Sequence, residues 1–293
     1  MDSIPPEVAR YGPQRTGHSA GRKGILELHL AHDPGTKRTI VKDQYSQVPL
    51  YAQKPMYLEK SLPAMAYMYV MSQGGGILQG DSYRLEISLS AGALAHLTTQ
   101  GATRLYRMEK GFATQQVDIA VGRGCYLEYM PDQIIPYSGS RFYQKTAIKV
   151  DDDSTLVYSE IIAPGRAAMG ELLQYDVCYL RVETTDHEGS SKFIDAAVLE
   201  PKKRDMKAHG VLDRDVVGTV YVLAPARFVG ELQVQVNQAI RGRGGCSALP
   251  RDAGIVVRML GATASQLRSS AYNVAAVARK VILGAKFSAI RKG

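Results

Sequence analysis

The chain has 293 residues, 45% of them hydrophobic and 22% charged, with a formal net charge of +8. That is enough apolar material for a sizeable core, in one large domain or two small ones, and the chain reads as a soluble globular protein. No run approaches the roughly 18–20 apolar residues that span a bilayer, and the first residues, with Pro5, Pro6, Arg10, Arg15 and Gly21, hold no apolar signal core.

A cytoplasmic protein without membrane contact is therefore expected. Three cysteines, Cys125, Cys178 and Cys246, are an odd number set far apart, with no CxxC spacing, so they read as buried thiols in a reducing compartment rather than a disulfide framework. The basic balance invites a nucleic-acid reading. Its clusters, Lys202-Lys203-Arg204 and Arg241-Gly242-Arg243, are short and lack an aromatic platform, so they better suit an acidic protein partner.

In chain order, residues 1–23 read as a disordered tail and 24–293 as a single domain. From Gly24 to about Val222 the hydrophobic period is two, in short runs broken by turn residues. Leu26, Leu28 and Leu30 alternate with Ile25, Glu27 and His29; Leu85, Ile87 and Leu89 share a face, as do Val117, Ile119 and Val121. Asp151-Asp152-Asp153-Ser154 reads as a solvated turn rather than a metal site. His29 and His32, three apart on a strand, fall on opposite faces and are not joint ligands. After Pro225 the period becomes helical through Val229, Leu232, Val236 and Ile240, ended by Gly242, Gly244 and Gly245. A short strand, Gly254–Leu260, then leads to a second helix whose stripe is Leu267, Ala271, Val274, Val277 and Val281. The fold class is mainly β, a body of many short strands with a small C-terminal helical element.

The stretch Gly74-Gly75-Gly76-Ile77-Leu78-Gln79-Gly80-Asp81 has the glycine spacing of a phosphate loop, but Asp81 and Ser82 stand where Lys and Ser or Thr are needed. A dinucleotide fingerprint fails as well, because Tyr83–Leu89 alternates like a strand instead of opening a helix. What remains is a turn presenting a carboxylate.

That turn, followed by Thr98-Thr99-Gln100-Gly101-Ala102-Thr103 with Leu105-Tyr106-Arg107, and then by Leu127-Glu128-Tyr129-Met130-Pro131-Asp132-Gln133-Ile134-Ile135-Pro136-Tyr137, resembles the urease accessory proteins UreD, also called UreH. Further matches are Pro49-Leu50 leading to Gln53-Lys54-Pro55-Met56-Tyr57, Glu160 with Pro164-Gly165-Arg166, Asp195 before Leu199-Glu200-Pro201, and Val257–Leu260. The resemblance implies a β-helical or solenoid-like topology and a maturation factor without turnover of its own. It would work with UreF and the GTPase UreG on the urease apoprotein and assist delivery of Ni(II), which is cargo in transit rather than a resident cofactor.

A protein that hands nickel on should use oxygen ligands and water rather than imidazole or thiolate. By position in the matched motifs, Asp81, Glu160 and Asp195 are the expected metal-path residues, with the Thr103 hydroxyl in support. Thr103 stands where Ser also occurs in such proteins and Glu160 where Asp does, which keeps the donor chemistry but changes its reach. Each acid has a plain alternative as a turn or ladder residue satisfied by backbone N–H groups. Asp132 reads as a turn-stabilising side chain. The helical stripe, Leu267, Val274, Val277 and Val281, is the expected surface for UreF. Two other readings remain: a cysteine-dependent hydrolase or amidase using Cys125, and a basic nucleic-acid-binding protein.

Overall fold

The computed structural model describes residues 3–13, 21–186, 188–211, 215–240 and 242–287, which form seventeen strands and three α-helices. In chain order they are α1 (Pro6–Ala9), β1 (Lys23–Asp33), β2 (Arg38–Gln47), β3 (Leu50–Ala52), β4 (Ala66–Ser72), β5 (Ser82–Ser90) and β6 (Leu94–Thr99). Then come β7 (Thr103–Leu105), β8 (Ala113–Val121), β9 (Tyr126–Tyr129), β10 (Ile134–Pro136), β11 (Arg141–Val150) and β12 (Thr155–Ile162). The chain continues through β13 (Val177–Thr185), β14 (Ser191–Leu199), β15 (Val216–Leu223), α2 (Ala226–Ala239), β16 (Arg243–Ala248), β17 (Gly254–Gly261) and α3 (Ala264–Leu283).

Two sheets face one another. In the first, β1, β5, β8, β11 and β13 run parallel, with β2 and β14 antiparallel at the edges. In the second, β4, β6, β9 and β12 run parallel and continue antiparallel into β15, β17 and β16. The chain alternates between the sheets, β5 to β6, β8 to β9, β11 to β12, so each pair is a coil and the coils stack as a solenoid.

Period two decides which side chains meet. Leu26, Leu85, Val117, Thr146 and Val182 form one inward rung across the first sheet; Leu28, Ile87, Ile119, Ile148 and Thr184 form another. All ten are buried, at about 1.5–3 kcal/mol for each fully buried aliphatic side chain.

Helices α2 and α3 cover the outer face of the second sheet. Strand β12 is therefore buried on both faces, Leu156 and Tyr158 packing between the sheets and Val157 and Ile161 under α3. Here the structure alters an expectation. The apolar stripe of α3 had to be covered, and the chain's own sheet covers it: Leu267 and Val274 are 3% and 1% exposed among Val157, Val220 and Val257. They are core, not a partner-facing surface, and Val277 and Val281 are half-buried against the same cluster. No helix among the described residues is long and apolar enough to cross a membrane.

One polar group pins α3. Arg279, fully buried, donates from Nε to Glu128 Oε1 (2.6 Å), from Nη2 to Glu128 Oε2 (2.7 Å) and from Nη1 to the Tyr67 hydroxyl (2.8 Å). His96 Nδ1 lies 2.5 Å from Glu128 Oε2, and the Tyr126 hydroxyl donates to Oε1 (3.1 Å). Burial alone would raise the Glu128 pKa, but the bonds from His96 and Arg279 outweigh it and hold the carboxyl below its usual range.

The tail is a further correction. Residues 3–13 are ordered: Pro6 opens α1, Val8 is buried against Phe112, Tyr143, Val177 and Tyr179, and Arg10 pairs with Glu200. Arg141 lies over the Tyr11 ring at 4.5 Å. Ile4, Val8 and Tyr11 carry that docking, too few to make a hydrophobic period. Residues 1–2 and 14–20 lie outside those described. The glycines after α2, expected only to end the helix, also build the edge strand β16, where Gly244 passes so close to β17 that a Cβ would meet the Arg258 carbonyl at 2.9 Å.

Candidate functional site

Between the sheets the packing is incomplete. The inward rung of Tyr83, Gln115, Gln144 and Leu180 carries two glutamines where the next rung carries Val117 and Thr146 and the one beyond it Ile119 and Ile148. Beside them lies a cavity of about 280 Å³, walled by Gln115, Gln144, Tyr158 and Glu160 and bounded at its mouth by the Gly74–Ile77 turn and the loop that reaches Thr103. The glycines serve close approach here, for a Cβ on Gly76 (φ 153°) would lie 2.4 Å from the Arg104 carbonyl.

The polar wall is a connected chain. Gln115 Nε2 donates to Gln144 Oε1 (3.1 Å); Gln144 Nε2 donates to Glu160 Oε1 (3.1 Å) and to the Tyr158 hydroxyl (3.1 Å). The Tyr158 hydroxyl donates to the same Glu160 Oε1 (2.7 Å). Tyr129, Tyr158, Tyr221 and Phe193 stack in sequence with centroids 5.7–6.1 Å apart. Both donors to Glu160 are neutral. Burial therefore dominates and pushes its pKa up to about 7, with Asp195 adding to the rise and the Tyr158 and Gln144 bonds opposing it.

Of the acids and hydroxyl expected from the sequence, Glu160 and Thr103 line this cavity together. Asp81 stands behind its wall. It is 1% exposed and accepts from Arg22 N (2.8 Å), Arg22 Nη2 (2.5 Å), Leu78 N (2.9 Å) and the hydroxyl of Tyr83, itself a lining residue (3.1 Å). Asp195 lies on the far side of Tyr221, whose hydroxyl donates to its Oδ2 (2.7 Å), with Arg258 Nη2 at 2.5 Å. Burial would raise the Asp195 pKa, yet the Arg258 and Tyr221 bonds hold it below the usual range. Asp132 also lines the cavity, 3.5 Å from Arg268 of α3.

Gln115, Gln144 and Tyr158 were not singled out from sequence. The available signal was polarity at inward positions: Gln115 precedes Val117 and Ile119 on one face, and Gln144 precedes Ile148 and Val150. Among the described residues no three His, Cys, Asp or Glu side chains gather as a metal-holding group.

The alternatives find less support. Cys125 is 2% exposed and burial raises its pKa, lowering the thiolate population a nucleophile requires. Lys202 is bound to Asp176 (2.7 Å), Arg204 to Glu200 (3.2 Å) and Arg243 to Asp215 (2.8 Å), so these basic clusters are largely tied into local ion pairs. Arg241 lies outside the described residues.

Comparison with known proteins is decisive for the family. The family model described as UreD urease accessory protein matches residues 22–292. The chain belongs to the UreD urease accessory protein family. It is 40% identical over 290 residues to a protein named Urease accessory protein UreD from Cenarchaeum symbiosum, covering 97% of this chain and 100% of that one. A protein of the same name from Photorhabdus laumondii is 35% identical, with 95% and 89% covered. Urease accessory protein UreD 2 from Streptomyces griseus is 32% identical, with 100% and 99% covered. Membership of UreD implies a role in urease maturation and accounts for the three motif blocks. Two of them, the glycine turn and the Thr98–Thr103 loop, form the cavity mouth, and Asp132 from the third lies in its lining.

Proposed function

We propose that this protein is a non-catalytic urease maturation factor that forms a complex with UreF and UreG, binds the urease apoprotein, and assists delivery of Ni(II) to its active site. The observation that carries this reading is the cavity between the sheets, whose polar lining is mostly carboxylate, hydroxyl, phenol and amide groups, with Arg104 as its one basic residue. Such donors bind Ni(II) less tightly than imidazole or thiolate, as a conduit requires. Glu160 is the central group: its carboxylate has no guanidinium to displace, and a divalent cation would compete only with neutral donors and a proton. Thr103 and Asp132 stand nearer the mouth as further oxygen donors. Asp195, behind Tyr221, continues the path beyond Glu160, while Asp81 holds the wall through Arg22.

The test is co-expression of urease with its accessory proteins and Glu160→Gln or Thr103→Val in this chain, measuring urease nickel content and co-purification of UreF, UreG and urease. Lower nickel content with an intact complex is expected for Glu160→Gln, and a smaller loss for Thr103→Val. Normal nickel content with both variants overturns the path; failure to co-purify any partner overturns the complex.

A further inference from the structure

A second crevice lies between the sheets at the end where β12 begins and β15 finishes. Its volume is about 380 Å³, within the range of small-molecule pockets. It belongs to none of the motif blocks above.

Its floor holds an anomaly. Thr184 stands in the inward rung between Ile148 and Phe193 of β14; it is 1% exposed, and its Oγ1 has no hydrogen-bond partner. An unpaired buried hydroxyl is unfavourable where valine would fill the same space. It lines the crevice.

Above it is the N-terminus of α2, fourteen residues long, with Pro225 as N-cap, no side-chain cap and no acid in its first turn. Its leading amides, at Ala226 and Arg227, border the crevice and carry the positive end of the helix dipole. Arg227 and Arg251 line the same space. Arg251 uses one guanidinium N–H on the Ser191 carbonyl (2.9 Å), leaving the others for a ligand.

Acids are present too: Lys192 holds Asp152 at 2.9 Å, while Asp151 and Asp252 balance the two arginines in formal charge. Attraction here therefore comes from directed donors, not from a net positive field, and binding should depend weakly on salt. Donors on a threonine, a helix end and two arginines border the crevice on several sides, the Arg227 guanidinium resting over the Phe228 ring at 4.7 Å, and this spread suits a tetrahedral oxyanion better than a planar carboxylate. The volume leaves room for the body that carries it.

We propose that this crevice binds the phosphoryl group of a small molecule. The test is an amide NMR titration of the intact protein with inorganic phosphate, adenosine monophosphate or acetate at constant ionic strength, following Ala226 and Arg227. Saturable shifts with phosphate or the monophosphate are expected, weakened at least tenfold by Thr184→Val and by the double variant Arg227→Gln/Arg251→Gln. Tighter binding of the monophosphate would identify a phosphate ester, and equal binding free phosphate. Absence of saturation, acetate binding as tightly as phosphate, or affinity unchanged in the variants would overturn the assignment. Should Thr184→Val not fold, the surface double variant decides alone.

Discussion

Replacing Asp81 by alanine should destabilise the fold by about 3 kcal/mol. The carboxylate is buried and accepts bonds from Arg22, Leu78 and Tyr83, and hydrogen bonds to a charged group contribute about 1.5–3 kcal/mol each. Breaking a buried ion pair costs roughly 3–5 kcal/mol, and the lower end applies because the Arg22 side chain is 34% exposed and regains water when its partner is lost. Against a typical stability of about 5–15 kcal/mol this is a large fraction. The chain has no tryptophan, so equilibrium urea unfolding followed by far-ultraviolet circular dichroism is the assay. Arg22→Met should cost at least as much, because it removes the guanidinium from a carboxylate at 1% exposure. The double variant should cost less than the sum of the two by 1 kcal/mol or more. In cells, Asp81→Ala should lower urease maturation in step with the loss of folded protein. A change below about 1 kcal/mol with no coupling to Arg22 would refute the structural assignment.

Two further predictions concern the other buried acids. Glu160 has its folded pKa raised to about 7 against an ordinary 4.5, so the folded state binds more protons than the unfolded one between those values. Its contribution is full below about pH 4.5 and is lost as pH rises through about 7, a change of about 3 kcal/mol. Glu160→Gln should remove that pH dependence and be the more stable protein at pH 8; parallel stability–pH curves for the two proteins would contradict it. Arg279→Met should cost about 3–5 kcal/mol by leaving Glu128 buried without its guanidinium, and adding Glu128→Gln should recover part of that loss in the same unfolding assay. No recovery in the double variant would show that Arg279 acts through packing alone.

The period-two strands were legible because each strand carries its own inward face: Leu85, Ile87 and Leu89 need only local alternation to be placed. Which coil lies beside which depends on pairings distant in sequence, and no local pattern encodes them. The same limit governs the carboxylates. Asp81 was visible as an acid closing a glycine turn, but the guanidinium that occupies it comes from 59 residues away. Arg279 reaches Glu128 across 151 residues, and nothing in either segment announces the other. The stripe of α3 was read correctly as apolar, yet an apolar stripe states only that something covers it. The covering surface is the outer face of β12, β15 and β17, available because β12 presents Val157 and Ile161 on that face.

The fates of the three acids follow from the charge of their donors. Asp81 and Asp195 each pair with an arginine, and a cation approaching either must first displace a guanidinium. Glu160 accepts hydrogen bonds from an amide and a phenol and feels Arg258 only from beyond hydrogen-bond reach, so burial prevails and its pKa is pushed up to about 7. Among these three, Glu160 is therefore the carboxylate that can change ligand without breaking an ion pair. Gln144 explains why it can remain there: its amide donates to the carboxylate Oε1 and accepts from Gln115, keeping the cavity wall hydrogen-bonded. A leucine at 144 would extend the apolar surface of Leu180 into the cavity, but it would leave Glu160 with Tyr158 as its remaining donor of the two. The two glutamines that interrupt the core thus support Glu160, the one of these three acids whose hydrogen-bond donors are neutral.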